Sequence, residues 1–225
     1  DSEDGWQQRL AEGGCFVLAE AASNDAVPSL AERWGGDLDQ TRLYWGEAGR
    51  VHGSISPYCF PVTVESWPQV SEHLQKQESW GVGIQLEWFM RPQPQADQLD
   101  VLLKHLRQWS LVTTPAGETA ILRISDWLVL SRLLGASTAA DAAAIFGPIT
   151  SFTWLPPGGE AQCAALAWRE SPPPPVLPRQ LSELQWRAIL EPSLRRAYER
   201  YMAHLREYHS RWRSADDDSL LAFVI

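Results

Sequence analysis

The amino-acid sequence predicts an α+β fold, with a mixed β-sheet and flanking helices in one lobe and a smaller C-terminal helical lobe after it. Strand-like and helix-like segments mix without the regular alternation that predicts a doubly wound sheet. The proline run "SPPPP" at 171–175 favours an extended spacer, and the sequence beyond it has a helical pattern. We therefore predict an α/β lobe over residues 1–171, and a proline-rich linker with a helical lobe over residues 172–225.

The first part of the chain predicts three strands and two helices. Apolar runs rich in β-branched and aromatic residues predict strands at 15–20, 41–45 and 80–89. A proline at the first helical position, with glycines past the end, predicts a helix over 28–36. A serine followed three residues later by glutamine resembles a capping box that opens a helix over about 66–78.

The middle of the chain predicts a long amphipathic helix, two hairpins and two shorter helices. Leucines at i, i+3, i+4 and i+7 define one apolar face of a helix around 99–106. Segments on either side of "PAG" predict one hairpin, and segments on either side of "PPGGE" predict another. Between them, "WLVLSRLL" predicts a helix that ends at Gly135, and Thr138 with Asp141 begins a shorter helix.

Arg123 and Asp126 lie three residues apart where a predicted strand runs into a predicted helix. Asp126 is placed to accept hydrogen bonds from the first turn of that helix, a cap that contributes about 0.5–2 kcal/mol. Arg123 is expected to be half-buried and paired with Asp126 or another carboxylate. A catalytic pair is the alternative, but because such ion pairs readily serve structure we favour the structural interpretation.

Charge, cysteines and apolar runs argue against several classes of function. The formal charge is −9, whereas general nucleic-acid binding requires a positively charged surface. We therefore expect no nucleic-acid partner. No run of about 18 apolar residues is present, so we expect no membrane span. The 3 cysteines form no CxxC pair, and their odd number is typical of free thiols in a reducing compartment. We therefore expect a cytoplasmic protein.

The sequence also lacks the common catalytic motifs. None of the 5 histidines pair at i, i+4, and no HExxH or zinc-spaced cluster occurs. There is no GxSxG nucleophile elbow, and the glycines of "WGVGIQ" are too few to cradle a phosphate. We predict no metal and no cofactor, and the missing motifs make an enzyme less expected without eliminating one.

The helical end of the chain carries an aromatic seam. Between Ser193 and Arg213 lie six arginines and two glutamates, a formal charge of +4 within a chain of −9. Its aromatic and leucine residues recur every 3.5 residues on average. We expect the seam either to pack on the first lobe or to form a partner-binding face anchored by Tyr, Trp and Arg. The candidate binding residues are Arg196, Tyr198, Tyr201, Leu205, Tyr208 and Trp212. The apolar end "SLLAFVI" either closes the sheet or binds a partner by strand addition.

Several segments, taken in order, resemble one protein family. They are "CFVLAEAAS", "ISPYCFPV", "WGVGIQ", the long stretch "LLKHLRQWSLVTTPAGETAILRISDWLVLSRLL" and "IFGPITSF". The matching residues include Pro57, Tyr58, His105, Arg107, Arg123, Asp126, Gly147 and Pro148. The segments resemble the type VI secretion effector adaptors, the Tap/TEC chaperones defined by a bacterial domain of unknown function. Trp127 stands where that family has proline, and Ile124-Ser125 where it has an aromatic pair.

The resemblance implies a non-enzymatic adaptor in the cytoplasm of a Gram-negative bacterium. Such a protein binds a toxic effector and helps to load it onto the secretion spike, a VgrG or PAAR protein, without a cofactor. The matching residues are then expected to be structural, with partner binding in the helical region and the cleft between lobes. Two alternatives stay open: an immunity-type protein that neutralises a toxin, and a small hydrolase or transferase whose pocket gathers Arg123, Asp126 and His105.

Overall fold

The computed structural model describes residues 3–22, 24–77, 80–87, 90–156, 160–165 and 179–208, with only the backbone of 3–4 and 191–200. The described strands are β1 Cys15–Ala19, β2 Tyr58–Pro61, β3 Gly81–Leu86, β4 Leu111–Thr113, β5 Thr119–Ile121, β6 Ile149–Trp154 and β7 Gln162–Ala165. The described α-helices are α1 Glu3–Glu12, α2 Val27–Gly35, α3 Leu38–Thr41, α4 Gly46–His52, α5 Trp67–Leu74, α6 Gln95–Ser110, α7 Trp127–Gly135, α8 Ala139–Phe146 and α9 Glu183–Tyr208.

A five-stranded sheet of order β2-β1-β3-β6-β7 forms the centre of the fold. All of its described neighbours pair antiparallel, and β4 and β5 form a separate antiparallel hairpin. Parallel pairing occurs within the described ranges at an isolated bridge between Thr113 and Gln180. The predicted α+β class is confirmed, as are the strands near 15–20 and 80–89 and both hairpins.

The sheet is covered on both faces. In β1, Cys15, Val17 and Ala19 pack in one hydrophobic cluster with residues of α1, α2 and α5. Phe16 and Leu18 point to the opposite face, where they pack with residues of α6, α7 and α8. Since strand side chains alternate between faces, a strand buried on both sides must be apolar at every position. The sheet therefore lies between two layers of helices, and the continuous apolar run "CFVLA" follows from this arrangement.

Tryptophans fill much of the cluster on the α1 side. The ring centroids of Trp6 and Trp67 lie 5.5 Å apart, and those of Trp67 and Trp80 lie 6.2 Å apart. Trp80 donates from Nε1 to the carbonyl of Leu155 at 2.8 Å, so its polar atom is satisfied inside the core. Gly83 makes room for this packing, because a Cβ there would come within 2.6 Å of the Trp6 ring.

The opposite cluster is built around α6. Its predicted apolar face is confirmed, since Leu99, Leu102, Leu103 and Leu106 are all buried there. The four residues recur every three or four positions and therefore form one stripe along the helix that faces the sheet. The other sides of α6 are left for contacts with neighbouring loops and helices.

The C-terminal helix is anchored to the rest of the chain at its start. The amide of Thr113 donates to the carbonyl of Arg179, and the amide of Leu181 donates to the carbonyl of Thr113, both at 2.9 Å. Gln185 donates to the hydroxyl of Ser137 at 2.9 Å, and α9 packs on α7. The predicted lobe boundary at 171/172 and the proline run lie outside the described residues.

Two capping boxes are present, one at the predicted start of α8 and one at the start of α9. The amide of Asp141 donates to Thr138 Oγ1 at 3.2 Å, and the amide of Thr138 donates back to the Asp141 carboxylate at 3.3 Å. Ser182 and Gln185 exchange the same pair of bonds, at 3.2 and 2.9 Å. The predicted end of α7 at Gly135 is also confirmed.

The predicted strand at 41–45 is wrong. Asp37 accepts a hydrogen bond from the amide of Asp39 at 2.8 Å and so starts α3, which takes in Thr41. Trp45 is already the N-cap of α4, so too few residues remain between the helices for a ladder. Pairing with β2 is reduced to a bridge at Arg42, although the next two side chains are buried as a strand pattern would require.

The predicted capping box at Ser66 is also wrong. Ser66 has helical dihedral angles, φ −84° and ψ −28°, and makes no side-chain bond to the first turn of α5. Its hydroxyl instead accepts from the amide of Thr63 at 2.9 Å. The serine therefore closes the turn before the helix, and that turn uses the oxygen a cap would need.

Candidate functional site

The residues of the predicted signature come together in three contact groups, each joining segments far apart in the chain. We name them the Glu20 junction, the His105 contact and the Arg107 contact. The groups link strand ends, loops and helices around the α6 side of the sheet. Their geometry shows what each signature residue does in the fold.

The Glu20 junction consists of Glu20, Arg123, Ser125 and Asp126. Glu20 follows β1 and is only 3% exposed. Its carboxylate accepts hydrogen bonds from the hydroxyl of Ser125 and from Arg123 Nη2, the latter at 3.3 Å. Arg123 Nη1 lies 4.0 Å from Asp126 Oδ2, so the arginine bridges two carboxylates. The expected ion pair is present, but its closer partner is Glu20, which sequence reasoning missed.

Asp126 performs the predicted cap. Its Oδ1 accepts from the amide of Leu128 at 2.9 Å and from the amide of Val129 at 3.5 Å. These are two of the first-turn N–H groups that a helix cannot satisfy internally. Asp126 therefore caps α7 and pairs with Arg123, which supports the structural interpretation of this pair.

Tyr44 lies close enough to the Glu20 junction for the charges of Glu20 and Arg123 to affect its pKa. Burial raises the pKa of Tyr44 to about 12, and the negative charge of Glu20 adds to this while Arg123 opposes it. The phenol therefore stays protonated across the physiological range. Tyr44 is therefore a neutral neighbour of the junction in that range.

The His105 contact joins α6 to the end of α8. His105 Nε2 donates to the carbonyl of Ile145 at 2.7 Å. Gly147 follows α8 with φ 55°, and a Cβ at this position would overlap the imidazole ring. Pro148 then accepts at its carbonyl from the amide of Glu87 at 3.0 Å, which fixes the start of β6 beside the end of β3. The Phe-Gly-Pro segment thus needs glycine where the histidine packs.

The Arg107 contact joins α6 to the segment between α3 and α4. Arg107 Nη2 donates to the carbonyl of Arg42 at 2.7 Å and to that of Gln40 at 3.3 Å. Its guanidinium carbon lies 4.9 Å from the ring centroid of Trp45. Burial lowers the pKa of Arg107, while the charge of Asp100 acts in the opposite direction. The arginine is therefore held by backbone oxygens and by an aromatic face.

Pro57 and Tyr58 hold the same segment from its other side. The carbonyl of Pro57 accepts from the amide of Leu43 at 2.9 Å. The guanidinium of Arg42 lies over the ring of Tyr58, 6.0 Å from its centroid. Residues 40–45 are thus fixed between β2 and α6, and two separate parts of the signature meet on them.

A pocket of about 300 Å³ opens beside Arg107, and we name it the Trp45 pocket. Its lining includes Asp39, Trp45, Leu99, Asp100, Leu103 and Arg107. The two leucines are buried, whereas Trp45 is 57% exposed. Among the described residues that line it, Arg123, Asp126 and His105 do not appear, so it is not the pocket that the hydrolase alternative requires. Sequence reasoning missed this site because nothing local marks Trp45 as exposed.

The predicted partner-binding residues of α9 divide by exposure. Tyr201 and Tyr208 are 61% and 65% exposed, whereas Leu205 is buried. The ring centroids of His204 and Tyr208 lie 4.6 Å apart. Residues 201, 204 and 208 are spaced by three and four positions, so they lie on the same side of the helix and form one aromatic surface. We name Tyr201, His204 and Tyr208 the α9 aromatic face. The side chains of Arg196 and Tyr198, and all of Trp212, lie outside the described part of the chain.

The buried thiols are unreactive, and the described residues contain neither a metal-ligand cluster nor a membrane-spanning helix. Cys15 and Cys59 are buried free thiols, and burial raises the pKa of each, which keeps them in the unreactive protonated form. Within the described ranges, no three His, Cys, Asp or Glu side chains are grouped as metal ligands. In that same part of the chain, no helix combines the length and apolar composition of a bilayer-spanning segment.

These contacts define an α+β domain whose signature residues connect its elements. The chain belongs to the family described as Domain of unknown function (DUF4123), whose model matches residues 15–144. The match runs from β1 into α8 and includes Pro57, Tyr58, His105, Arg107, Arg123 and Asp126. It ends before Gly147, Pro148 and α9. No curated protein and no solved structure matches the chain.

Proposed function

We propose that this protein is a cytoplasmic adaptor that binds a toxic effector and helps to load it onto the type VI secretion spike, a VgrG or PAAR protein. The observation that carries the proposal is the family match over residues 15–144. This family is associated with type VI secretion effector adaptors. Neither a cofactor nor a nucleic acid enters the proposed activity, which is protein binding.

The use of the signature residues inside the fold supports this proposal. Arg123 is paired with Glu20, His105 donates to a backbone carbonyl, and Arg107 donates to two more. Groups with these contacts are committed to the architecture and would have to break them to act on a substrate. The family signature therefore supports a binding scaffold better than it supports a reaction centre.

The α9 aromatic face is the surface we propose for the effector. Tyrosine is prominent among residues that dominate binding energy, because its ring is large and loses little entropy when fixed. A helix of 26 residues is about 39 Å long, whereas α7, with 9 residues, is about 14 Å long. Most of α9 is therefore beyond the reach of α7, and its second half carries the exposed tyrosines.

Affinity purification of the tagged full-length chain from its native bacterial host tests the adaptor role. Expected partners are a toxin and a VgrG or PAAR protein in the same eluate. A toxin recovered without any spike protein would instead favour the immunity-type alternative. Recovery of neither would contradict the proposal.

The double variant Tyr201→Ala/Tyr208→Ala tests the proposed surface. We expect it to lower effector capture at least about tenfold, since each aromatic anchor is worth on the order of 1–2 kcal/mol. Leu184→Ala is the matched control, because Leu184 is 66% exposed in the first turn of the same helix. Equal capture by the double variant and the wild type would exclude the α9 aromatic face as the effector site.

A further inference from the structure

We infer that the Trp45 pocket is a docking site for a peptide segment of a partner protein that carries a basic side chain beside an aliphatic one. The geometry and charge of the pocket support this docking role independently of the adaptor role. The pocket has three parts: an apolar floor, a fixed aromatic wall and two carboxylates at the rim.

The apolar floor and wall provide the aliphatic contact. Leu99 and Leu103 form the floor, and each is less than 10% exposed. Trp45 stands above them and is 57% exposed, an arrangement in which a large apolar surface remains in contact with water. Covering such a ring is favourable in proportion to the apolar area removed from solvent. A partner's aliphatic side chain would cover both the floor and the indole.

The indole is held in place before any partner arrives. The guanidinium carbon of Arg107 lies 4.9 Å from the ring centroid, and the carbonyls of Gln40 and Arg42 fix that guanidinium. A side chain whose position is already set loses less entropy on binding than a mobile one. Rigid, half-exposed tryptophans of this kind are common energetic centres of protein interfaces.

The rim carboxylates select a cation. Asp39 and Asp100 are both exposed, with ion pairs to Arg42 at 3.6 Å and to Lys104 at 2.7 Å. Exposed pairs of this kind contribute little to stability, so either aspartate can exchange its partner for an incoming Lys or Arg.

An anionic ligand would be disfavoured at the same place. It would face both carboxylates, and Arg107 Nη2 already donates to two backbone oxygens. The formal charge of −9 adds an overall field that attracts a basic segment. Charge complementarity therefore favours a cationic occupant.

The volume restricts the occupant to a short segment. Small-molecule pockets span about 300–1,000 Å³, so the 300 Å³ here is at the lower limit. That space suits one or two side chains. A folded element or a large cofactor would not fit.

Two labelled octapeptides test the inference, one of alternating leucine and arginine and one of alternating leucine and glutamate. Binding to the full-length protein is measured by fluorescence anisotropy. In a ¹⁵N-labelled sample, the Trp45→Phe variant identifies which indole N–H signal belongs to Trp45. We expect the leucine–arginine peptide to bind and to shift that signal, and the leucine–glutamate peptide to do neither.

Paired charge variants separate the site from the overall field. Asp39→Asn/Asp100→Asn should weaken binding of the leucine–arginine peptide about tenfold, because both rim charges are lost. Glu72→Gln/Glu118→Gln removes the same formal charge at two exposed positions outside the pocket and should change binding less than about twofold. Equal weakening by both pairs, an unmoved Trp45 signal, or equal binding of the two peptides would overturn the inference.

Discussion

Replacing Arg123 with alanine should destabilise the protein through the carboxylate of Glu20. Glu20 is 3% exposed, and Arg123 provides its cationic partner at 3.3 Å. A hydrogen bond to a charged group contributes about 1.5–3 kcal/mol, and removing one member of a fully buried pair costs about 3–5 kcal/mol. Arg123 is itself 51% exposed, so water screens the pair and replaces part of what is lost. We therefore expect a loss of about 1–2 kcal/mol.

Urea unfolding followed by tryptophan fluorescence measures this loss, and a double-mutant cycle with Glu20→Gln isolates the coupling between the two side chains. The control cycle uses Arg50 and Glu47, an ion pair in which both side chains are about 70% exposed. That pair should couple by less than about 0.5 kcal/mol. A Glu20–Arg123 coupling no larger than the control would refute the reasoning, because burial of Glu20 would then add nothing.

Three further changes follow from contacts at single residues. Asp126→Ala should cost about 1–2 kcal/mol in unfolding free energy, because two first-turn amides of α7 lose their acceptor; an unchanged urea midpoint would contradict the cap. Gly147→Ala should cost about 2–4 kcal/mol, because φ is 55° and the new methyl group overlaps His105. Gly135→Ala is its control, with open space at the Cβ position, and should be neutral or slightly stabilising in the same assay. Burial raises the pKa of Tyr44 from 10.0 to about 12, so its phenol ionises first in the unfolded chain as pH rises. Stability should therefore fall between pH 10 and 12, and Tyr44→Phe should reduce that fall by about 1–2 kcal/mol when unfolding is measured across this range.

The sequence predicted those parts of the fold that depend on neighbours in the chain. The leucine stripe of α6 repeats with the period of the helix, and the caps at Asp126 and Thr138 need only residues two or three positions away. The covered strand β1 was predictable because burial on both faces leaves a continuous apolar run. Such signals are local, so no knowledge of the tertiary fold was needed.

The wrong or missing predictions depend on contacts that are distant in sequence. Glu20 reaches Arg123 and Ser125, which lie 103 and 105 residues further along the chain. Its importance follows from burial, and no spacing pattern encodes it. Leu43 and Tyr44 are buried like strand residues, but Arg107 and Pro57 hold their segment as a loop between two helices. These two side chains are buried as those of a strand would be, but the predicted backbone conformation was wrong.

The arrangement of α6 leads to a final prediction that separates stability from binding. His105 and Arg107 are two positions apart, so the helix directs them to opposite sides. His105 fastens α8, whereas Arg107 fastens residues 40–42 and supports the ring of Trp45. Each side chain donates to backbone carbonyls, so His105→Ala and Arg107→Ala should each lower the unfolding free energy by about 1–2 kcal/mol.

Their effects on the Trp45 pocket should differ. Arg107→Ala removes the group that fixes the indole, so we expect it to weaken binding of the leucine–arginine peptide about tenfold. His105→Ala leaves the contacts of Arg107 and Trp45 in place, and binding should stay within about twofold of the wild type. Anisotropy titrations at a temperature where both variants remain folded make the comparison. Equal loss of binding in the two variants would mean that the pocket responds to general destabilisation, and Arg107 would then have no positioning role.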